Sequence, residues 1–478
     1  MNLDAKAIPD ALAVIVGGAN VVTAPGDMEF YLTEARGLFR GQAAAAVKPA
    51  NTAEVAAVVR LCAVERLPMV PMGGNTGTCG GTVPLGGTRT VVISTERLNR
   101  IRAVDPVNHT VTVEAGCILA DVQGAAEAAG CFFPLSLGGE GSCRIGGNLS
   151  TNAGGINVLR YGNARDLMLG LEVVLPDGRV WNGLKALRKD NTGLALRHLF
   201  VGAEGMLGVI TAAVLKTFAI PPARHTAFVA IEGPDAALQL LLDLKRVTAD
   251  GVTAFELLPR IALDIGFRHL EGARDPFDRA HPWYALIELT GAAGCEAALE
   301  DVLGAAIEGD RAIDAVIARS GEQRKALWRL REVGAGGHQY QAGALIKHDI
   351  SVPTSRIPEM IERGLAAVEA ALPGTRVIAF GHAGDGNLHF NLVQPEGHDG
   401  GAFLAERARM NRIVHDIVHD LGGSISAEHG IGMLKIDEME RYKDPLELEL
   451  MTRIKSALDP HGLMNPGKVL PVERKGAA

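Results

Sequence analysis

His382 and His389 stand seven residues apart in FGHAGDGNLHFN (380–391). Two imidazoles aimed at one point bind a divalent metal, and a carboxylate as third ligand leaves positions open for water or substrate, as in catalytic sites. Glu428 and His429 are adjacent in GGSISAEHGIG and supply that carboxylate and a further imidazole. An imidazole that titrates near neutral pH suits a general base. Arg331, in LWRLREVG, and Lys347, in LIKHDIS, are two further cations. Arginine grips a carboxylate as a bidentate fork. Taken singly, each has a plainer reading: a surface hairpin with two solvated histidines, a solvated helix face, and a strand-edge lysine.

The histidine spacing makes a definite geometric expectation. Asp385-Gly386 between extended residues is the preferred two-residue type I′ hairpin tip. That tip pairs Gly384 with Asn387, Ala383 with Leu388 and His382 with His389. Directly opposed residues share a face, with Cβ atoms about 4.5–5.5 Å apart. The period of two adds Asn391 to the same face. Two nitrogen donors and one oxygen donor suit Zn²⁺, Mn²⁺, Fe²⁺ or Co²⁺.

The elements around these residues are punctuated by glycine, 58 of 478 residues, in clusters. PMGGNTGTCGG (71–81) follows the strand-like LPMVP and can present successive N–H groups to an anion. It lacks the GK[ST] of a P-loop. LGGEGSCRIGGNLSTNAGG (137–155) is interrupted by Ile145 and Leu149, with Ile156 just beyond, which argues for a buried loop against a flat ligand. FVGAEGMLGVITAAVLK (200–216) is a turn feeding a strand. Three such loops in one region point to a long, extended ligand such as a dinucleotide.

The chain length predicts two to four domains. A net charge of −8 disfavours nucleic-acid binding. Six cysteines without CxxC spacing exclude a zinc ribbon or thioredoxin motif and fit a reducing compartment. The N-terminus lacks the basic n-region and cleavage site of a signal peptide, and no apolar run reaches about 18 residues. The expected location is therefore cytoplasmic, with no membrane span. VIVGGAN (14–20) imitates a strand entering a dinucleotide loop, but no GxGxxG follows, and the pattern predicts an amphipathic helix stopped by Gly17-Gly18. Thr52 is the expected N-cap of the next helix. LGLEVVLPDGRVWNG predicts a hairpin around Pro-Asp-Gly. Pro221-Pro222 marks a boundary, after which apolar strands alternate with amphipathic helices in an α+β pattern. The tail predicts one helix ending in a Pro/Gly turn.

In order, PMGGNTGTCGG, LSLGGEGSCRIGGNLSTNAGG, LRYGN, LRKDNTG, LFVGAEGMLGVIT, GHAGDGNLHFN, SAEHGIG and LDPHGLMNPGK resemble the FAD-dependent D-2-hydroxyacid dehydrogenases. These belong to the vanillyl-alcohol-oxidase (PCMH-type) flavoprotein superfamily. The nearest branch includes D-2-hydroxyglutarate dehydrogenase, D-lactate dehydrogenase and the glycolate-oxidase flavin subunit. The resemblance runs from about 30 to 470. It implies an α+β fold: a PCMH-type FAD-binding domain, then an α+β substrate (cap) domain with an antiparallel sheet, then a C-terminal helix returning to the FAD domain. The implied boundaries are an N-terminal helical segment at 1–40, the FAD domain at 41–220, the cap with its metal site at 221–433, and an FAD-contacting helical segment at 434–478.

The resemblance also implies site residues. Pro71, Gly73, Gly74, Asn75, Thr76, Gly77, Gly80 and Gly81 would cradle the FAD pyrophosphate. Pro134, Leu137, Gly138, Gly141, Ser142, Ile145, Gly146, Gly147, Asn148, Thr151, Asn152, Gly154 and Gly155 would line the adenosine and isoalloxazine, with Glu204, Gly208, Val209 and Ile210. Asn465 would reach the flavin from the tail. Some relatives bind FAD covalently through a histidine in the first loop; Asn75 in that place implies dissociable FAD. His382, His389 and Glu428 would hold a divalent metal, zinc first among the candidates. His429 would be the base and touch substrate with Arg331, Lys347 and Asn391. The 2-hydroxyglutarate enzymes carry a threonine where Ala335 stands, which leaves that particular substrate open. The implied reaction oxidises a D-2-hydroxyacid to the 2-oxoacid, passing electrons to an acceptor such as a quinone or an electron-transfer flavoprotein, in an expected homodimer. Two rival readings are an alcohol oxidase using O₂ and a flavin subunit of a larger complex.

Overall fold

The computed structural model describes residues 3–269, 272–291, 294–335 and 342–471. Its backbone contacts divide the chain into two units: 1–154, 162–220 and 428–478 in the first, and 155–161 and 221–427 in the second. The boundary expected after 433 falls after Ala427, because Met433 and Leu434 donate their N–H groups to Cys79 O and Val469 N–H donates to Gly432 O. The N-terminal segment is no separate piece. Ile8 and Leu12 of helix Ile8–Val16 are fully buried in one core with Val55, Val59, Met69 and Ile93. That helix ends at Gly17, as the apolar pattern predicts.

The first unit holds two larger sheets and a two-stranded pair, Cys131–Phe132 with Phe218–Ala219. One runs in the order Val21–Val22, Ala45–Val47, Val91–Ser94, Met69–Met72, parallel apart from its first pair. The other is antiparallel, ordered Ile101–Asp105, Thr110–Glu114, Val209–Lys216, Met168–Val174, Val180–Gly183. The last two strands form the expected hairpin, closed by Leu175 N–H to Arg179 O at 2.9 Å. Helix Thr52–Glu65 starts at the residue expected to cap it, and its cap is one residue earlier: Asn51 accepts from Glu54 N–H at 2.9 Å, while Thr52 Oγ1 donates to Glu172 at 2.6 Å. Tail helix Pro445–Leu458 is joined to this unit by Lys455, whose Nζ donates to Met206 O and Met464 O.

The second unit is also α+β. An antiparallel sheet runs Val252–Pro259, Trp283–Gly291, Ala223–Ile231, Asp314–Ile317. A second sheet is centred on Asn387–Val393, flanked by Arg376–Phe380 on one side and by Leu345–Ile346 and Asp349–Ser351 on the other. A bridge from Leu257 to Gly381 ties the two sheets.

Candidate functional site

In the first unit the glycine loops line a cleft that opens to solvent, with about 920 Å³ of empty space counting the open mouth. Of the expected residues, Pro71, Gly73, Gly74, Asn75, Thr76, Gly77 and Gly81 line it, as do Gly146, Gly147, Asn148 and Thr151, and Glu204, Gly208, Val209 and Ile210. His429 lines it too. Two observations fit a bound flavin nucleotide. A Cβ on Gly77 or Gly147 would meet no protein atom within 4 Å, so both face open space a ligand can take. Asn148 is buried, and its Oδ1 has no hydrogen-bond partner in the protein.

Other expected contacts are taken up within the protein or lie outside the cleft wall. Asn75 lines it, but its amide is spent on the protein: Nδ2 donates to Phe30 O and Thr33 O, both at 2.8 Å, and Oδ1 accepts from Thr82 Oγ1 at 2.7 Å. Gly80 faces Met433, whose Cγ would lie 2.6 Å from an added Cβ. Asn152 Oδ1 accepts from Arg165 N–H at 2.9 Å. Pro134, Leu137, Gly138, Gly141, Ser142, Ile145 and Gly154 lie outside the cleft wall, and Gly155 belongs to the second unit. Asn465 acts as a brace, donating to Gly81 O at 3.0 Å and Glu204 O at 2.7 Å. Sequence reasoning missed Cys79, Arg144 and Ser150 of the wall, which interrupt the glycine pattern that signalled the loops, and Thr95, which follows strand Val91–Ser94 outside them.

Glu204 holds the loop that carries His429. Its carboxylate accepts from Ile431 N–H at 2.7 Å and Gly432 N–H at 2.8 Å. Burial raises its pKa, against the pull of those two amides. Glu428 follows Ala427 by one peptide, and Ala427 N–H donates to Asp349 O at 3.3 Å within the second unit.

The second unit brings His382 and His389 together by a different route from the expected hairpin. The ladder pairs Phe380, not His382, with His389. Gly381 leaves it to exchange both hydrogen bonds with Leu257, at 2.9 and 3.0 Å. The link is thus six residues, 381–386. The Asp-Gly pair is no two-residue tip, because Asp385 N–H bonds back to His382 O and Val352 N–H takes Gly386 O. The register moves by two, an even number that preserves the face, and the ring centroids still lie 5.8 Å apart at an interplanar angle of 75°.

Asp349 pairs directly with His389 across the other edge, with its Oδ1 3.9 Å from Nδ1. The register that runs from Ile346↔Leu392 to Asp349↔His389 sets Lys347 opposite Asn391. Asn391 is buried; Lys347 is exposed. Arg331 lies on helix Gly321–Ala335 with its Nη2 3.4 Å from His382 Nε2. The side chain of Ala335 lies outside the described residues. Glu256 joins the two: Oε1 is 2.5 Å from His382 Nδ1, and Oε2 accepts from Arg331 Nε at 2.8 Å. Burial pushes this carboxyl up, but its pairing with His382 and Arg331 outweighs that and holds it down at about 2. Its only sequence signal is a lone acid in the apolar run TAFELLP.

Comparison with known proteins finds relatives along nearly the whole chain. Residues 220–469 match the family described as FAD linked oxidases, C-terminal domain, and residues 43–183 match the FAD binding domain. A rice (Oryza sativa subsp. indica) protein named probable D-2-hydroxyglutarate dehydrogenase, mitochondrial, is 38% identical over 460 residues, 96% of this chain and 80% of its own. The D-2-hydroxyglutarate dehydrogenase of Xanthomonas citri pv. viticola is 36% identical, covering 96% of both chains. Among solved structures, p-cresol methylhydroxylase with substrate bound superposes with a TM-score of 0.75 at 16% identity, over 96% of both chains. That likeness shows the PCMH-type fold. The cytoplasmic expectation does not stand: the relatives from rice, Arabidopsis, cattle and zebrafish are all named mitochondrial. Among the described residues no helix is long and apolar enough to cross a membrane.

Proposed function

The chain belongs to the FAD-linked oxidase family, and we propose that it oxidises a D-2-hydroxyacid to the corresponding 2-oxoacid. The observation that carries this reading is the buried group in the second unit, where Glu256 bridges an imidazole, His382, to a guanidinium, Arg331. An imidazole suited to a metal beside a guanidinium suited to a carboxylate matches a substrate whose hydroxyl and carboxylate sit on adjacent carbons. The identity to relatives named D-2-hydroxyglutarate dehydrogenase supports the same class.

Bound FAD, held without a covalent link, supplies the acceptor for the Cα hydride, and a divalent metal, zinc first, supplies positive charge beside the hydroxyl. His382, His389 and Glu428 would hold that metal. Arg331 and Lys347 bind substrate carboxylate, and Asn391 contributes a hydrogen bond. His429 takes the hydroxyl proton, and the Cα hydrogen would leave with both electrons of its bond as hydride for the flavin acceptor, so the alcohol becomes the ketone. The first glycine loop, 71–81, would cradle the FAD pyrophosphate. A quinone or an electron-transfer flavoprotein would take the electrons onward, and the working form is proposed to be a homodimer.

The test is anaerobic flavin bleaching by D-lactate, D-2-hydroxyglutarate, D-malate and glycolate, with the L forms as controls. One or more D acids should bleach the flavin, and His429→Asn should slow bleaching by about 10²–10⁴-fold. Wild-type rates in that variant reject His429 as the base. Bleaching by none of the acids rejects the substrate class, and fast reoxidation by O₂ during turnover favours an oxidase.

A further inference from the structure

Strand Val252–Pro259 is buried along its whole length, and only Thr253 and Glu256 in it are polar. A carboxylate in such a place costs several kcal/mol of desolvation unless its oxygens are paired. Each oxygen of Glu256 has its own partner, His382 Nδ1 at 2.5 Å and Arg331 Nε at 2.8 Å. We propose that Glu256 is a positioning residue whose one carboxylate fixes both the imidazole that faces the metal and the guanidinium that faces the substrate anion. This inference rests on the roles of His382 and Arg331 given above.

The donor pattern makes the assignment directional. A carboxylate meets a neutral imidazole nitrogen only where that nitrogen carries the proton, so Nδ1 is the N–H and Nε2 the lone-pair atom. Arg331 Nη2, which can only donate, lies 3.4 Å from Nε2, in keeping with an acceptor there. A ligating histidine is commonly oriented in this way by an outer carboxylate.

The backbone on either side of Glu256 repeats the arrangement. Leu257 exchanges two hydrogen bonds with Gly381, and Phe255 O accepts from Gly384 N–H at 3.2 Å. The neighbours of Glu256 thus hold the chain before and after His382 while its side chain holds the ring. Arg331 is located independently of the histidine loop. Its helix is tied to strand Trp283–Gly291 by Trp328 Nε1 donating to Glu288 Oε2 at 2.9 Å, with Arg324 3.7 Å from the same oxygen. Glu256 therefore links two elements that are each placed by other contacts, and its role is to set their relative geometry.

The experiment uses FAD-loaded protein reconstituted with Zn²⁺ or Co²⁺, as wild type, Glu256→Gln and Glu256→Asp. Flavin absorbance and circular dichroism report folding. Chelator competition should show metal affinity reduced by about 10- to 100-fold in the Gln variant. The visible spectrum of the Co²⁺ protein should change, because a carboxamide cannot accept from both partners. The Asp variant keeps the charge but not the reach, and should fall between. At saturating metal, KM for the hydroxyacid should rise more than kcat falls, the sign of lost binding common to ground and transition states. Wild-type metal affinity, Co²⁺ spectrum and KM in a folded Gln variant overturn the proposal. Should both variants fail to fold, nitrogen-labelled histidine spectra of metal-free wild type decide: an Nδ1–H tautomer at His382 is expected, and Nε2–H overturns it. If wild type itself takes up no stoichiometric metal, the metal reading falls; if wild type binds metal and Glu256→Gln binds it equally well, only this inference falls.

Discussion

Lys468 buries its ammonium group to 2% exposure, with Nζ donating to Val83 O at 2.6 Å. Burial drives its pKa down from 10.5 to about 8, and the charge of Glu204 restores only part of the loss. The unfolded chain therefore binds more protons than the folded one between about pH 8 and pH 10.5, and unfolding free energy rises with pH across that window. Below it the buried lysine costs the fold about 3 kcal/mol. Lys468→Met is expected to raise the melting temperature at pH 7, with the gain shrinking as pH climbs from 8 towards 10. A gain that stays flat over that range would show that the lysine is not depressed. NPGK flagged this stretch in the sequence, but only for Asn465. A lysine reads as a surface residue until the packing around it is known. Glu256 was hidden for the same reason: one acid in an apolar strand says nothing of the two cations that meet it. His382, His389, Arg331 and Asn391 stood out only through the set of motifs and the resemblance it carries, since each taken singly has a plainer reading.

At the scale of elements, the strands of the second unit were legible from their apolar runs, and the link between two of them was not. Asp385-Gly386 favours a two-residue turn locally. Tertiary pairing of Gly381 with Leu257 and of Gly386 O with Val352 N–H overrides that preference, since each adds hydrogen bonds a short hairpin forgoes. The glycine loops separate in a comparable way. A Cβ on Gly74 would lie 2.2 Å from Ser142 O, whereas one on Gly77 would meet nothing. Gly74→Ala should therefore destabilise the protein itself, by about 1–3 kcal/mol as overpacking does. Gly77→Ala should leave the melting of the flavin-free protein unchanged and weaken FAD binding. Paired melting and FAD titration separate the two. Equal FAD affinity in Gly77→Ala and wild type would remove Gly77 from the cofactor wall.

For the whole molecule, cofactor binding and stability are linked through mass action. With Asn75 held by Phe30, Thr33 and Thr82, FAD is expected to dissociate, and FAD at 100 times its Kd should stabilise the protein by about 2.7 kcal/mol. A thermal-shift series against FAD measures this; yellow colour that stays with acid-denatured protein would show a covalent link instead. The sequence by itself determined the two-part α+β plan, the glycine-lined nucleotide cleft and the residue types of the candidate site. These depend on local periodicity, on small residues that let a ligand approach, and on motifs contiguous in the chain. Tertiary structure alone decided that the unit boundary follows Ala427, that the N-terminal helix completes a core, that His382 meets His389 through a six-residue link, and that Glu256 joins His382 to Arg331. Those outcomes turn on contacts between residues far apart in the chain, 126 positions for Glu256 and His382 and further still for Cys79 and Met433. Local pattern carries no record of such contacts, because burial and hydrogen bonding at that range arise only when the strands and helices pack.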